Sequence, residues 1–161
     1  MTKFSVSTAS AATVDADRQR VWAALTDPDL IVRLTPYLSR IDVARDQGVD
    51  RWTWHLVRIP LLGSMVSPSF TEVMTYDEPS RIDFVHDPER TDEKAGVDGR
   101  YVLKEARQGT DLSIELAITV ELPFPKVARP AVHAAMRAVI ATMGARFSHN
   151  LVRHLSAGNA R

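Results

Sequence analysis

The sequence predicts an α+β fold: a curved antiparallel sheet wrapped around a long C-terminal helix, with two short helices after the first strand. Three observations carry this. Between Ser39 and Leu122 apolar residues recur mainly at every second position, the period of strands with one buried face. Between Val127 and Leu155 the period becomes helical, and Val132, Met136, Val139, Ile140, Met143, Phe147, Leu151, Val152 and Leu155 form an apolar stripe. A sheet with one apolar face needs a cover, and this helix, roughly 40 Å long if straight, is the only element large enough to supply it.

Phe4, Val6, Thr8 and Val14 share one parity, so Phe4 to Val14 reads as the first strand. Asp15 and Asp17 offer N-cap side chains for a short helix, RQRVWAAL, carrying Val21, Trp22 and Leu25. Asp27-Pro28 closes it and opens a second helix, DLIVRL, because aspartate caps and proline suits the first turn; that helix stops before Pro36. A turn follows around Gln47-Gly48-Val49-Asp50. With Gly48 and Val49 as the turn, Val43 lies opposite Trp54 and Ile41 opposite Leu56. Trp52, Trp54 and Leu56 then share one face, while Asp46 faces Arg51 and Asp42 faces His55 on the other. Pro60-Leu61-Leu62-Gly63-Ser64 reads as a loop with an apolar tip, either a gate or a loop packed on its neighbours.

Strands Val66 to Tyr76 and Arg81 to His86 are joined by Asp77-Glu78-Pro79-Ser80. A four-residue loop there pairs Val73 with Phe84 and Thr71 with His86, leaving Glu72, Arg81 and Asp83 on the opposite face. Asp87 to Lys94 reads as a charged, solvated loop. Strands Gly99 to Arg107 and Thr110 to Leu122 meet at Gln108-Gly109, which sets Tyr101 against Leu116 and Leu103 against Ile114. Pro123 and Pro125 end the last strand. Pro130 suits the first turn of the long helix and Gly158 its end. Gly144 costs helix stability, about 1 kcal/mol relative to Ala, but the stripe continues through it.

The 161 residues fit one domain spanning 1–161, with no repeat and no linker. Basic and acidic residues balance at 20 each, so bulk charge draws the chain toward neither nucleic acid nor an anionic membrane. The absence of cysteine removes disulfides, thiol catalysis and thiolate metal sites. The start, MTKFSVSTAS, lacks the apolar core of a signal peptide, and no apolar run is long enough for an integral membrane segment, so the cytoplasm is the expected location. None of the five histidines forms a helical i, i+4 pair, so no metal is expected. No P-loop, GxGxxG or GxSxG motif calls for a cofactor or a serine nucleophile.

The registers turn Trp52, Trp54, Phe84, His86, Tyr101 and Leu103 inward, to meet Met136, Ile140 and Met143 from the helix. These nine are the candidate ligand-binding residues. His86 fits two roles, a proton-transferring or hydrogen-bonding group inside, or a rim histidine in water. Tyr101 either donates to a ligand oxygen or fills the core with its hydroxyl satisfied. Met136 and Met143 suit an ordinary helix core and an adaptable pocket wall alike. His133 and Arg137 read as a solvated face.

The order of elements resembles the helix-grip fold of the START-like (SRPBCC, or birch-allergen-like) superfamily over essentially the whole chain. The resemblance rests on VDADRQRVWAALTDPDLIVRLTP, TEVMTYDEPSRIDF, EARQGTDLSIEL and FSHNLVRHL, which look like the polyketide cyclase/dehydrase and lipid-transport families, including a group associated with carbon monoxide dehydrogenase. The glycine-rich loop of the plant allergen branch is missing, since the early hairpin here is DQGVD. The resemblance implies a hydrophobic pocket between sheet and C-terminal helix, and a lipid, polyketide, quinone or steroid-like partner. It supplies no catalytic motif. Three function classes stay open: a carrier or sensor of a small apolar molecule, a cyclase or dehydratase using His86 or Tyr101 as acid or base, and a partner-binding module without a ligand. Oligomeric state is not legible.

Overall fold

The computed structural model describes residues 1–159; residues 160 and 161, the end of the expected domain span, lie outside the described residues. Strand β1 (Thr2–Val14) is followed by α1 (Arg18–Leu25) and α2 (Pro28–Leu34). Each helix begins where an aspartate satisfies a free backbone N–H: Asp17 accepts from Arg20 N at 2.9 Å and Asp27 from Leu30 N at 3.2 Å. Then come β2 (Leu38–Asp46), β3 (Val49–Leu56), β4 (Ile59–Leu61), β5 (Ser64–Val66), β6 (Ser69–Asp77), β7 (Arg81–His86), β8 (Ala95–Ala106) and β9 (Gly109–Leu122). A 3₁₀ turn (Lys126–Ala128) leads into α3 (Arg129–Asn159).

Seven strands form one curved antiparallel sheet in the order β1-β9-β8-β7-β6-β3-β2. The long β1–β9 and β8–β9 ladders dominate, as the alternation of Leu112 through Leu122 implies. The sheet's two edges, β1 and β2, pack against α3 and α2 respectively, and α2 packs on α3, so the helices bridge the open side of the curve. Two anchors fix the C-terminal half of α3. Asn150 Nδ2 donates to Leu34 O at 3.0 Å, and Arg20 Nη2 donates to Leu155 O at 2.6 Å. Gly158 lies in the last turn of α3, at the end of the helix. A Cβ there would meet the Arg20 guanidinium, the movable end of that side chain.

The expected strand registers hold in face but not always in number. In β2–β3 the turn is Gln47-Gly48, both with positive φ, so Val43 pairs with Trp52 and Ile41 with Trp54. In β8–β9, Tyr101 pairs with Ile114 and Leu103 with Leu112. Each is a slip of two residues, which leaves every side chain on its expected face. In β6–β7 the slip is one residue. Asp77 pairs with Arg81, Met74 with Phe84 and Glu72 with His86. That overturns the expected Val73–Phe84 and Thr71–His86 pairs, and Glu72 crosses to the face of Trp52 and Phe84.

Three local expectations also change. Pro60 to Ser64 is not an open loop, since β4 and β5 pair across Leu62-Gly63, with Ile59 and Leu61 buried and Leu62 and Met65 exposed. The 87–94 segment is not simply solvated, because Asp87 and Glu93 are held on the sheet. Val152 is exposed and lies off the apolar stripe of α3.

Candidate functional site

The inner face of the sheet is read across the strands. One row runs Trp52, Glu72, His86; the next runs Trp54, Phe70; a third runs Asp50, Met74, Phe84. Burial along these rows divides the nine candidate residues. Trp52, Phe84, Leu103 and Met136 are buried. Trp54, Tyr101, Ile140 and Met143 are only half-buried. The same holds for their apolar neighbours Ile114, Leu116 and Ile118 on β9 and Val139 and Phe147 on α3. The ends of the helix are sealed instead, with Val132 and Met136 at one end and Leu151 and Leu155 at the other. Apolar side chains on the core-facing side of both layers therefore keep contact with solvent at mid-helix.

The walls of this region are aromatic. Trp54 stacks on Phe70 (6.0 Å between centroids, 12° between planes), Trp52 lies 6.4 Å from Trp54, and Phe84 is 5.2 Å from Tyr101. Among them sits Glu72, 3% exposed. Burial drives its pKa well above the ordinary 4.5, the Trp54 indole N–H opposes that rise, and the charge of Asp98 adds to it. The Trp54 N–H lies near enough to act on Glu72 but does not reach hydrogen-bond geometry, and Nε1 is left buried without a partner. The Tyr101 hydroxyl titrates far above its ordinary value, first through burial and then through the charge of Glu72. The Trp54 indole, the Glu72 carboxyl and the Tyr101 hydroxyl thus act on one another at the inner face.

Sequence reasoning places Glu72 outside. The signal that could have found it is size: Phe70 and Met74 share its parity, whereas the opposite parity offers only Thr71, Val73 and Thr75. Sequence reasoning misses Asp50 too. It is buried on the inner face, where Trp52 Nε1 (3.3 Å), Tyr76 Oη and Arg45 Nε (3.3 Å) all donate to it. That satisfied carboxylate pins the two aromatic side chains.

His86 is engaged elsewhere. Its Nε2 lies 2.9 Å from Glu93 Oε1, and its ring lies against Gly96, where an added Cβ would come within 2.9 Å of Cγ. Glu93 in turn accepts from Thr71 N and Thr71 Oγ1, both at 2.8 Å. His133 is half-buried rather than solvated, with Nε2 buried and unpartnered and its ring 6.3 Å from Phe4, whereas Arg137 is exposed. Among the described residues no three His, Asp or Glu side chains gather as a metal site requires, and no helix is long and apolar enough to cross a membrane. Two surface clefts, about 490 Å³ between α2 and α3 and about 720 Å³ beside the β8–β9 turn, contain none of the nine candidates.

The family model described as "Polyketide cyclase / dehydrase and lipid transport" matches residues 1–156. The chain belongs to this family. Among curated protein sequences none matches. Solved structures agree with the family assignment in fold. The di-domain aromatase/cyclase StfQ from the steffimycin biosynthetic pathway superposes with a TM-score of 0.72 at 13% identity, over 98% of this chain and 53% of StfQ. The chain thus spans about half of that protein. TTHA0849 from Thermus thermophilus gives 0.71 at 18% identity, over 95% of this chain and 99% of the other. The Zhui aromatase/cyclase from Streptomyces sp. R1128 gives 0.66 at 16% identity, over 96% and 98%. At these identities the chain shares a fold with them and no residue roles follow.

Proposed function

We propose that the protein binds a small apolar molecule between the inner face of the sheet and the middle of α3. One observation carries this reading: Trp54, Tyr101, Ile140 and Met143 keep solvent contact at the middle of α3, while Val132 and Met136 at one end of the helix and Leu151 and Leu155 at the other are buried. A protein that needed only a core would close that region, because each exposed apolar side chain forgoes its burial free energy. Aromatic walls with a few polar groups are the composition of a small-molecule site. The family description, which names polyketide cyclases and lipid transport, is consistent with such a ligand.

An enzymatic role of the cyclase or dehydratase type is the second reading, and the buried Glu72 favours it, since burial raises its pKa well above the ordinary 4.5, the direction a general acid requires. His86 is the weaker candidate for that role because its ring nitrogen is taken by Glu93.

The binding reading is tested by titrating a fluorescent fatty acid or steroid analogue into wild type and Trp54→Ala. Loss of the indole wall should weaken binding by about 2 kcal/mol, from lost apolar burial. Failure of wild type to bind any apolar probe would contradict the reading.

A further inference from the structure

We propose that Ser69, His55 and Asp42 form a nucleophilic site on the outer face of the sheet, one that takes an acyl group from small activated esters. The site is separate from the inner face and does not depend on the binding reading above. Trp54 and Phe70 turn toward the core, so their neighbours His55 and Ser69, directly paired across β3 and β6, turn outward. Asp42 comes from β2, opposite Thr53. Ser69 Oγ lies 3.2 Å from His55 Nδ1, and His55 Nε2 lies 2.9 Å from Asp42 Oδ2. A hydroxyl, an imidazole and a carboxylate thus stand in line across three strands. The sequence contains no GxSxG elbow, but such a constellation is defined by geometry and roles rather than by spacing along the chain.

An ionised Asp42 carboxylate can only accept, so His55 Nε2 donates to it. In the neutral ring Nδ1 then presents its lone pair to the Ser69 O–H. That is the proton pattern of an activated serine, with the two ring nitrogens exchanged relative to the serine-protease arrangement. Arg40 Nε also donates to Asp42 Oδ2, at 3.3 Å, which favours the ionised carboxylate. On attack, the Ser69 oxygen bonds to the ester carbonyl carbon and its proton passes to Nδ1. The ester C–O bond then breaks, its electron pair leaves with the oxygen, and the proton on Nδ1 goes to that oxygen. Water, giving a proton to the same nitrogen, next releases the acyl group as a carboxylic acid, and that proton restores Ser69. Ester and water are the only reactants. The side chains of His55 and Asp42 are 25% and 58% exposed, so the site is open to solvent. A charge developing on the carbonyl oxygen is stabilised less in such a place than in a closed site, which selects small aryl esters, whose leaving group departs readily, over amides.

The test uses a fluorophosphonate, which labels an activated serine oxygen with loss of fluoride, and p-nitrophenyl acetate as the ester. Peptide mass spectrometry of wild type should find the phosphonyl group on Ser69, and unfolding in urea beforehand should abolish that label. Ser69→Ala should release nitrophenolate more slowly than wild type. His55→Gln should slow labelling of Ser69 about a hundredfold, the low end of what a positioned general base supplies. Asp42 acts through His55, as a positioning residue. Asp42→Asn should slow labelling and move the ring proton of His55 from Nε2 toward Nδ1, read from nitrogen NMR, and Asp42→Glu should recover part of the rate. Circular dichroism establishes that each variant is folded. Folded wild type without label on Ser69, label on other serines instead, labelling unchanged in His55→Gln, or equal ester hydrolysis by wild type and Ser69→Ala would each overturn the inference.

Discussion

Asp87 and Glu72 are both buried carboxyls of one sheet, 1% and 3% exposed, and they are treated in opposite ways. Asp87 follows β7 and accepts from Arg51 Nε at 2.9 Å and from Glu89 N at 3.0 Å, with Arg90 Nε 3.8 Å away. Burial pushes its pKa up, but the Glu89 N–H and the Arg51 guanidinium outweigh this and hold it below the ordinary 3.8. Glu72, on the inner face, has no donor to match, and burial wins. A carboxylate that fastens a loop is surrounded by its own partners. One with too few donors has its pKa raised instead, because burying a charge without matching partners is costly. The contrast separates architecture from the region proposed for a ligand. Asp50, also buried and supplied with three donors, falls on the architectural side.

The largest effect expected from this contrast is at Asp87. Asp87→Ala should destabilise the protein by about 2–3 kcal/mol in urea unfolding, since it strips the partly buried Arg51 of its partner. Because the folded pKa lies below 3.8, the stabilisation from Asp87 is present above that pH and is lost as the pH falls through the lower folded value. An Asp87→Ala protein as stable as wild type at pH 7 would remove the distinction between the two acids.

Glu72 should behave with the reverse sign and a smaller magnitude. Glu72→Leu should leave stability unchanged or raise it by about 1 kcal/mol at pH 7, because the variant no longer buries a polar group without a partner. The folded pKa lies above 4.5, so the contribution of Glu72 is fully present below pH 4.5 and declines as the pH rises through the folded value. Unfolding measured at several pH values should show this decline in wild type and not in Glu72→Gln. A marked loss of stability in Glu72→Leu would mean that Glu72 holds the fold together as Asp87 does.

Much of the architecture was legible because period and caps are local. The Asp17 and Asp27 caps, the alternation of β9 and the stripe of α3 each announce themselves within a dozen residues. Hairpin numbering was less legible, since a turn can move along a strand. Such a move is harmless in steps of two, as at Trp52 and Tyr101. At β6–β7 the question was whether Asp77 belongs to the turn or to the ladder, and that single residue decided the side of Glu72. Long-range returns were not legible at all. Nothing near His86 in the strand pattern reveals that Glu93 comes back to meet its ring, or that the same carboxylate takes the Thr71 N–H. The inward faces of Trp52, Trp54, Phe84 and Tyr101 follow from strand period alone, whereas the side of Glu72 turned on one residue of register.

The most direct measurement is a carbon NMR titration of protein labelled at the glutamate side-chain carboxyls, with the Glu72 resonance assigned by its absence in Glu72→Gln. A neutral acid on the inner face predicts that this resonance stays in its protonated position well above pH 4.5 while exposed glutamates titrate near that value. A Glu72 resonance that titrates with the exposed glutamates would contradict it.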